Sequence, residues 1–397
     1  MESTRQPRPV AVRLVSLDAF RGAIMLLMAS GGLAIPRIAE SFPDNRIWQL
    51  MGVHTEHAAW AGCTLWDLIQ PAFMFMVGVA LPWSIANRRN RGETVWQSWR
   101  HALMRSLVLV LLAVFLSSAW SKQTAWVFPN VLAQIGLGYP VLFLVAHGRT
   151  WMQWSAAFLI LIVYGLAFAV YPVAPADFDW SSVGVPEDWT HLTGFAAHWD
   201  KNYNFAAWFD QWFLNLFPRE EPFVFNGGGY QTLNFIPSIA TMIFGLLAGQ
   251  MMRDGSSMWS KVRWLLVFGL LGLLSGLVLE QAGICPIVKR IWTPSWALFS
   301  TGWVCWLMAL FVVLIECLHL KKWAFPLVVA GLNPITLYCM WQLSAGFIRD
   351  NLKRHISPDI FVWLGDTYEP MMQRGLVLVV LWLVLLWMYR RKIFVRV

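Results

Sequence analysis

The sequence predicts an all-α integral membrane protein, a bundle of about ten transmembrane helices. Of its 397 residues, 58% are hydrophobic and 13% are charged, whereas ordinary globular chains carry about 25% charged residues. The 26 tryptophans point the same way, because the indole ring favours the membrane interface, where its N–H stays hydrated. We therefore expect residues 1–397 to form a single transmembrane domain.

Ten apolar stretches are long enough, or nearly so, to cross roughly 30 Å of hydrocarbon at about 1.5 Å per residue. The first stretch has no small-residue cleavage site and is too long for a signal peptide, so we expect it to be retained as a helix. Asparagine and proline interrupt the fourth and the ninth stretches. The predicted spans are 18–36, 65–86, 102–120, 126–146, 152–172, 232–252, 262–281, 294–317, 324–347 and 372–389.

Lysine and arginine cluster in the loops on one side of these spans. With a cytoplasmic amino terminus that carries Arg5, Arg8 and Arg13, 19 of the 30 Lys and Arg residues lie in cytoplasmic segments, as the positive-inside rule describes. We expect both termini in the cytoplasm, in a multi-pass protein of a bacterial cytoplasmic membrane. The net charge of +8 then reflects membrane orientation, so we expect membrane lipid, and not nucleic acid, as a partner.

The long segment 173–231 is rich in Trp, Asp and Gly and lies on the non-cytoplasmic side in this topology. We expect amphipathic pieces such as 205–217 to lie over the mouth of the bundle and to close on the NGGG turn at 226–229. Cys63 and Cys285 are also expected on the non-cytoplasmic side, where they are either free thiols or joined in a disulfide. The cysteines form no CxxC pair and no Cys/His spacing resembles a zinc site, so no metal is expected.

Titratable residues stand directly before the second span, at His54, Glu56 and His57, and Asp67 follows in its first turn. A histidine near pH 7 can accept and return a proton, which suits a general base; the structural alternative is an interfacial histidine bonded to a backbone carbonyl. Asp67 follows Thr64 at the spacing of a capping box. Its carboxylate could cap the helix, orient a histidine or a substrate amine, or do both.

Other polar side chains stand where a ligand could meet them. Arg21 follows Asp18 by three residues and either pairs with it or meets an anionic ligand from the cytoplasm. Lys289 and Arg290 place two cations on the outer side against the charge rule, which favours a function there, although Glu280 could pair with one of them. Polar amides within apolar runs must face protein or a cavity; these are Asn130, Gln134 and Asn333.

Five stretches occur in one order that resembles the transmembrane acyltransferases related to heparan-α-glucosaminide N-acetyltransferase. They are RLVSLDAFRG (13–22), HAAWAGCTLWDLIQPAFMFMVGVAL (57–81), GLLAG (245–249), PIVKRIWTPSW (286–296) and AGLNPITLY (330–338). The resemblance implies a helix bundle that takes acetyl-CoA from the cytoplasm and passes the acetyl group to an amino sugar on the far side. The histidine and the acidic residue of the family match His57 and Asp67, and its D-x-F-R-G motif matches Asp18, Phe20, Arg21 and Gly22.

The sequence departs from the family pattern at two places. The family pairs its histidine with an asparagine before a glycine pair, and here Ser30 holds that place. A serine hydroxyl is shorter and cannot offer two amide hydrogens. The LQR of animal relatives is LAQ here, residues 132–134.

The resulting hypothesis assigns a role to each candidate. His57 deprotonates the acceptor or takes the acetyl group itself, Asp67 holds the site together, and Asn333 and Ser30 donate to the thioester oxygen. Arg21, Asp18 and Arg88 bind acetyl-CoA, and Lys289 and Trp60 contact a carbohydrate acceptor. Whether the protein forms a homodimer is left open. The alternatives are a transporter or exporter of a sugar or lipid-linked intermediate and an inactive membrane homologue.

Overall fold

The computed structural model describes residues 14–395, and the regular structure in that range is helical. The arginines Arg5, Arg8 and Arg13 that contributed to the predicted orientation lie outside the described residues. The helices are α1 Val15–Ser30, α2 Ile35–Glu40, α3 Arg46–His54, α4 Ile69–Asn90, α5 Val95–Ser118, α6 Val131–Val145, α7 Thr150–Val170, α8 Phe205–Leu214, α9 Phe235–Arg253, α10 Met258–Gln281, α11 Pro294–Val312, α12 Phe325–Leu332, α13 Pro334–His355 and α14 Glu369–Arg390.

The predicted all-α membrane bundle is confirmed. Within residues 14–395, eight helical segments are long and apolar enough to cross a membrane, and a ninth arises if α12 and α13 count as one span bent by 72°. The eight segments are Val15–Glu40, Trp66–Asn90, Val95–Ser118, Thr150–Val170, Thr232–Arg253, Met258–Gln281, Pro294–Cys317 and Asp366–Arg390.

The two predicted spans that contain asparagine and proline are the two that depart from simple helices. The span predicted at 126–146 is helical only from Val131, because the Asn130 side chain accepts a hydrogen bond from Ala133 N at 3.0 Å and caps α6. The span predicted at 324–347 breaks at Asn333, whose φ of −129° and ψ of 54° are not helical. Pro334 imposes this break, since proline disfavours a helical conformation in the residue before it.

Close helix contacts through glycine position the two helices that carry the candidate residues. A Cβ added to Gly22 of α1 would lie 1.7 Å from Leu327 O of α12, and one added to Gly331 would lie 1.9 Å from Asp18 O. A Cβ on Gly245 of α9 would lie 2.0 Å from Phe75 O of α4. Small residues let membrane helices approach backbone to backbone, so α1 and α4 are held tightly against α12 and α9.

The segment 173–231, which we call the cap, folds over one end of the bundle. It contains α8 and two 3-10 helices, Trp180–Val183 and Gly194–Trp199. Trp199 is buried and stacks on Phe168 of α7 with ring centroids 4.4 Å apart. The NGGG turn closes with a hydrogen bond from Gly229 N to Asn226 O at 2.8 Å. The predicted amphipathic helix is therefore present as α8, and the predicted turn is present as well.

Candidate functional site

The loop between α3 and α4 carries His57 and is fixed to the chain before α11. Gly62 N donates to Ile287 O at 2.8 Å, and Ala61 forms an isolated antiparallel bridge with Val288. Arg290 donates to Ala58 O at 3.1 Å. These contacts bring His57 beside Lys289, which lies 232 residues further along the chain.

Asp67 both caps its helix and holds His57. Its Oδ2 accepts from Ala58 N at 3.0 Å and from the N and Oγ1 of Thr64, each at 3.1 Å. Asp67 N in turn lies 3.4 Å from Thr64 Oγ1, which completes the reciprocal pair expected of a capping box. The other carboxylate oxygen, Oδ1, lies 2.7 Å from His57 Nδ1. The carboxylate therefore performs the two functions that the sequence left open.

The contact with Asp67 determines which nitrogen of His57 can react. Asp67 Oδ1, which can only accept, is the nearer partner of His57 Nδ1, at 2.7 Å against 3.0 Å for Lys289 Nζ, so we assign the hydrogen to Nδ1, which donates it to Asp67. The Nε2 atom of the neutral ring then keeps its lone pair. Because the His57 side chain is 38% exposed while Asp67 is only 1% exposed, the reactive edge of the ring remains accessible.

Lys289 completes the cluster from the opposite side. Its Nζ lies 3.3 Å from Asp67 Oδ1 and 3.0 Å from His57 Nδ1, and its side chain is buried. Burial lowers the pKa of the ammonium below its ordinary value, and the charge of Asp67 opposes that shift. Lys289 therefore balances the charge of Asp67, and its contact with a carbohydrate acceptor stays a prediction. Glu280 pairs with neither cation, and its Oε1 accepts from Ile287 N at 3.3 Å.

A cavity of about 840 Å³ lies among α1, α4, α5, α6 and α13. Its walls are largely apolar, and they include Met25, Val77, Ile135 and Tyr338. Basic side chains line the end of the cavity opposite His57, which we call the arginine end; they are Arg21, Arg88, Arg91, His101 and Arg105. Such a cavity suits a ligand with an anionic head and a long uncharged arm.

One face of α4 runs from the His57 cluster toward the cavity. Between residues 70 and 82 the helix is buried except at Gln70, Phe73, Val77 and Ala80. This spacing of three and four residues places them on one side, and the last three line the cavity. Asp67 precedes Gln70 by three residues. From Asp67 to Arg88 the helix rises about 30 Å at roughly 1.5 Å per residue, so the face spans most of a membrane.

The cavity contains the three residues that were predicted to bind acetyl-CoA. Asp18, Arg21 and Arg88 all line it. Arg21 lies 3.7 Å from Asp18, as expected for residues three apart on a helix, and Arg88 lies 3.1 Å from Glu93.

Two residues predicted to donate to the thioester oxygen make other contacts. Ser30 Oγ donates to Leu27 O at 2.6 Å and accepts from Gly32 N at 3.2 Å, so it closes the end of α1. Asn333 is fully buried, donates to Ile393 O at 3.0 Å and accepts from Val395 N at 2.9 Å. The structure therefore does not bring either side chain to His57, and Asn333 instead holds the chain segment after α14.

The aromatic residue beside His57 is Tyr230, not Trp60. Trp60 is 5% exposed, and its Nε1 donates to Trp199 O at 3.0 Å, so it supports the cap from inside and offers no open surface to an acceptor. Tyr230 follows the NGGG turn, and its ring lies 6.5 Å from that of His57. The sequence gave no sign of this contact, because the cap and the His57 loop are distant in the chain.

Two further residues in or beside the cavity, Arg105 and Gln70, were missed or left without a role. Arg105 donates to Tyr139 Oη at 3.3 Å and lies 4.6 Å from its ring centroid; the sequence distinguished it only as a loop charge. Gln70 donates to Gln134 Oε1 at 2.7 Å. A search for polar residues three apart from Asp67 on the same helix could have found Gln70.

Comparison with curated proteins shows a distant relationship to heparan-alpha-glucosaminide N-acetyltransferases. The chain is 21% identical to the human protein of that name over 436 residues, which is 96% of this chain and 59% of that protein. It is 20% identical to the mouse protein over 434 residues, which is 98% of this chain and 61% of that protein. The chain thus spans about three fifths of the length of these relatives. No family model matches the sequence.

Proposed function

We propose that this protein is a membrane acyltransferase that moves an acetyl group from acetyl-CoA to an amino or hydroxyl group of a carbohydrate. The observation that carries the proposal is the single face of α4 that runs from Asp67 through Gln70 to the basic cavity. Its distant relatives are named as acetyltransferases that act on a glucosaminide. In this proposal the arginine end faces the cytoplasm, where acetyl-CoA is available.

The donor fits the cavity by charge and shape. Phosphate groups of CoA would lie at the arginine end, where Arg88 and Arg91 stand beside Arg105, since guanidinium groups bind phosphate in a bidentate fashion. The uncharged pantetheine arm would extend between the apolar walls. Its thioester would then reach the level of Gln70, one turn from Asp67.

The cluster at His57 supplies the proton transfer. The Nε2 lone pair takes a proton from the acceptor as its nitrogen or oxygen attacks the thioester carbon, and the carbon–sulfur bond breaks. The proton then passes from His57 to the departing sulfur. In a second route Nε2 attacks first and carries the acetyl group before the acceptor takes it. Both routes need a neutral ring that Asp67 orients through Nδ1–H.

The decisive experiment incubates the purified protein with labelled acetyl-CoA and a panel of amino sugars, and identifies the products by mass spectrometry. We expect transfer of the label by the wild-type protein and none by a folded His57→Ala variant. His147→Ala is the matched control, because that ring is bonded to Phe143 O at 2.7 Å and does not line the cavity. Sugar flux into proteoliposomes without release of CoA would instead favour a transporter.

A further inference from the structure

Gln70 and Gln134 form an amide pair close to residues that line the cavity. Gln70 of α4 donates to Gln134 Oε1 of α6 at 2.7 Å. Gln70 lies one turn from Asp67 on one side and one turn from the cavity residue Phe73 on the other. Val131, Leu132 and Ile135, which flank Gln134 in α6, also line the cavity. The pair therefore stands between the cavity lining and Asp67, a position we call the junction, and neither amide is itself a lining residue.

Gln134 carries an unpartnered hydrogen-bond donor at this junction. The residue is 1% exposed, and its Nε2 has no partner among residues 14–395. A buried donor without a partner destabilises the fold, and buried polar groups in proteins are nearly always bonded. Because one amide of the pair donates to the other, amide hydrogens remain free in either orientation of the two groups. A ligand oxygen at the end of the cavity would satisfy them.

The reaction creates a need for such a donor. Attack on the thioester carbon places negative charge on the carbonyl oxygen, and fixed N–H groups aimed at that oxygen stabilise the transition state. Ser30 and Asn333 were expected to provide these groups, but their side chains are bonded to Leu27 O and to Ile393 O. Among these candidates, Gln134 has the unsatisfied N–H group.

We propose that Gln134, held by Gln70, donates to the thioester carbonyl oxygen of the acyl donor and is a catalytic residue of the transfer. The inference rests on the proposed function. The bond from the acceptor to the carbonyl carbon forms, the oxygen carries the negative charge against the Gln134 amide, and the carbon–sulfur bond then breaks. The proton taken by His57 goes to the sulfur, so the Gln134 amide neither gains nor loses a proton.

The test compares Gln134→Met with Gln153→Met, a matched control. Gln153 is also 1% exposed, but it lies in α7 and its Nε2 donates to Gly148 O at 3.1 Å. We expect Gln134→Met to lower kcat by about 10²–10³-fold, the cost of removing one such donor. Its Kd for S-ethyl-CoA, a thioether that lacks the thioester carbonyl, should stay within about twofold of wild type, since hydrogen bonding to the thioester oxygen plays no part in binding that probe. Gln153→Met should keep the wild-type kcat.

A vibrational measurement on bound acetyl-CoA, which needs no turnover, tests this inference separately from the proposed function. The carbonyl stretch of bound [1-¹³C]acetyl-CoA should shift to lower frequency in the wild-type protein, and Gln134→Met should reverse that shift. An unchanged frequency and kcat in the variant would overturn the role of Gln134 and leave the acyltransferase intact. Absence of acetyl-CoA binding by the wild-type protein would overturn both. Should Gln134→Met fail to fold, Gln70→Met tests the same contact from the less buried side, and an unchanged frequency there would also count against the inference.

Discussion

The molecule contains two histidine–aspartate pairs with nearly the same local geometry. His57 Nδ1 lies 2.7 Å from Asp67, and His191 Nδ1 lies 2.8 Å from Asp200. In both pairs the carboxylate is buried and about a third of the imidazole is exposed. By distance and burial alone, either pair would qualify as a general base held by a carboxylate.

The surroundings of the two pairs differ. His191 lies against Trp180, with ring centroids 4.1 Å apart, and Asp200 Oδ1 accepts from Lys201 N at 2.8 Å, so that pair joins segments within the cap. Asp67 instead begins a helix whose open face leads into the cavity, and a buried ammonium balances its charge. A histidine–aspartate pair can thus be purely structural, and the neighbouring cavity is what makes the His57–Asp67 pair the candidate for catalysis.

The largest expected effect is on kcat, and it distinguishes His57 from His191. Replacing His57 by Ala should lower kcat by at least about 10²–10⁴-fold, the contribution of a positioned general base. The same change at His191 should leave kcat within about twofold, because the cap pair does not touch the cavity. Initial rates of CoA release from acetyl-CoA measure both. Equal losses in the two variants would remove the distinction drawn between the pairs.

The loss of kcat should differ almost as much between replacements of the two carboxylates, Asp67 and Asp200. Asp67→Asn removes the acceptor that fixes the His57 tautomer, and a loss of about 10⁴-fold in kcat is the precedent for such a change. It also leaves the Lys289 ammonium buried without a counter-charge, which should destabilise the fold by about 3–5 kcal/mol.

The double variant Asp67→Asn with Lys289→Met separates these two effects. It should regain thermal stability without regaining activity, and Asp200→Asn is the activity control. Recovery of full activity in the double variant would show that Asp67 acts only through stability.

A smaller effect is expected from the basic end of the cavity. Replacing Arg88 and Arg91 by Gln should raise KM for acetyl-CoA by about tenfold, equivalent to about 1.4 kcal/mol, and leave kcat nearly unchanged. Added salt should raise the wild-type KM as well, because exposed charges are screened. Arg349→Gln, an exposed arginine paired with Asp350 at 2.7 Å, is the matched control. Unchanged KM values would argue against donor entry at the arginine end.

The smallest expected effect is a pH dependence of stability that arises from Asp210 in the cap. Asp210 is fully buried, and burial raises its pKa to about 7. The folded protein therefore keeps a proton that the unfolded chain releases above its ordinary value of 3.8, so stability should decrease as pH rises from about 4 to 7 and stay low above that. Asp210→Asn should abolish this dependence and raise the melting temperature by a few degrees at pH 8, as followed by thermal unfolding in detergent. Parallel curves for variant and wild type would contradict the assignment.

Patterns within short stretches of sequence predicted most of the spanning helices. In the site, they predicted that Asp67 caps its helix or orients a histidine. Apolar length located the spanning segments, and the Thr64–Asp67 spacing predicted a cap that the structure contains. Ser30, Asn333 and Trp60 have other hydrogen-bond partners in the structure, which the sequence could not show because it does not reveal the neighbours of a side chain. Asn333, for example, bonds to the backbone of residues 60 and 62 positions away.

The sequence by itself determined that this is a helical membrane protein, where most of its spanning helices lie, and that His57 and Asp67 are near one another. These features follow from hydrophobic length and from residues ten apart, which local backbone geometry brings together. Only the tertiary structure decided that Lys289 balances Asp67, that Gln70 meets Gln134, and that one face of α4 opens into a basic cavity. The first two contacts join residues 222 and 64 positions apart, and they depend on which helices pack together, which no local pattern specifies.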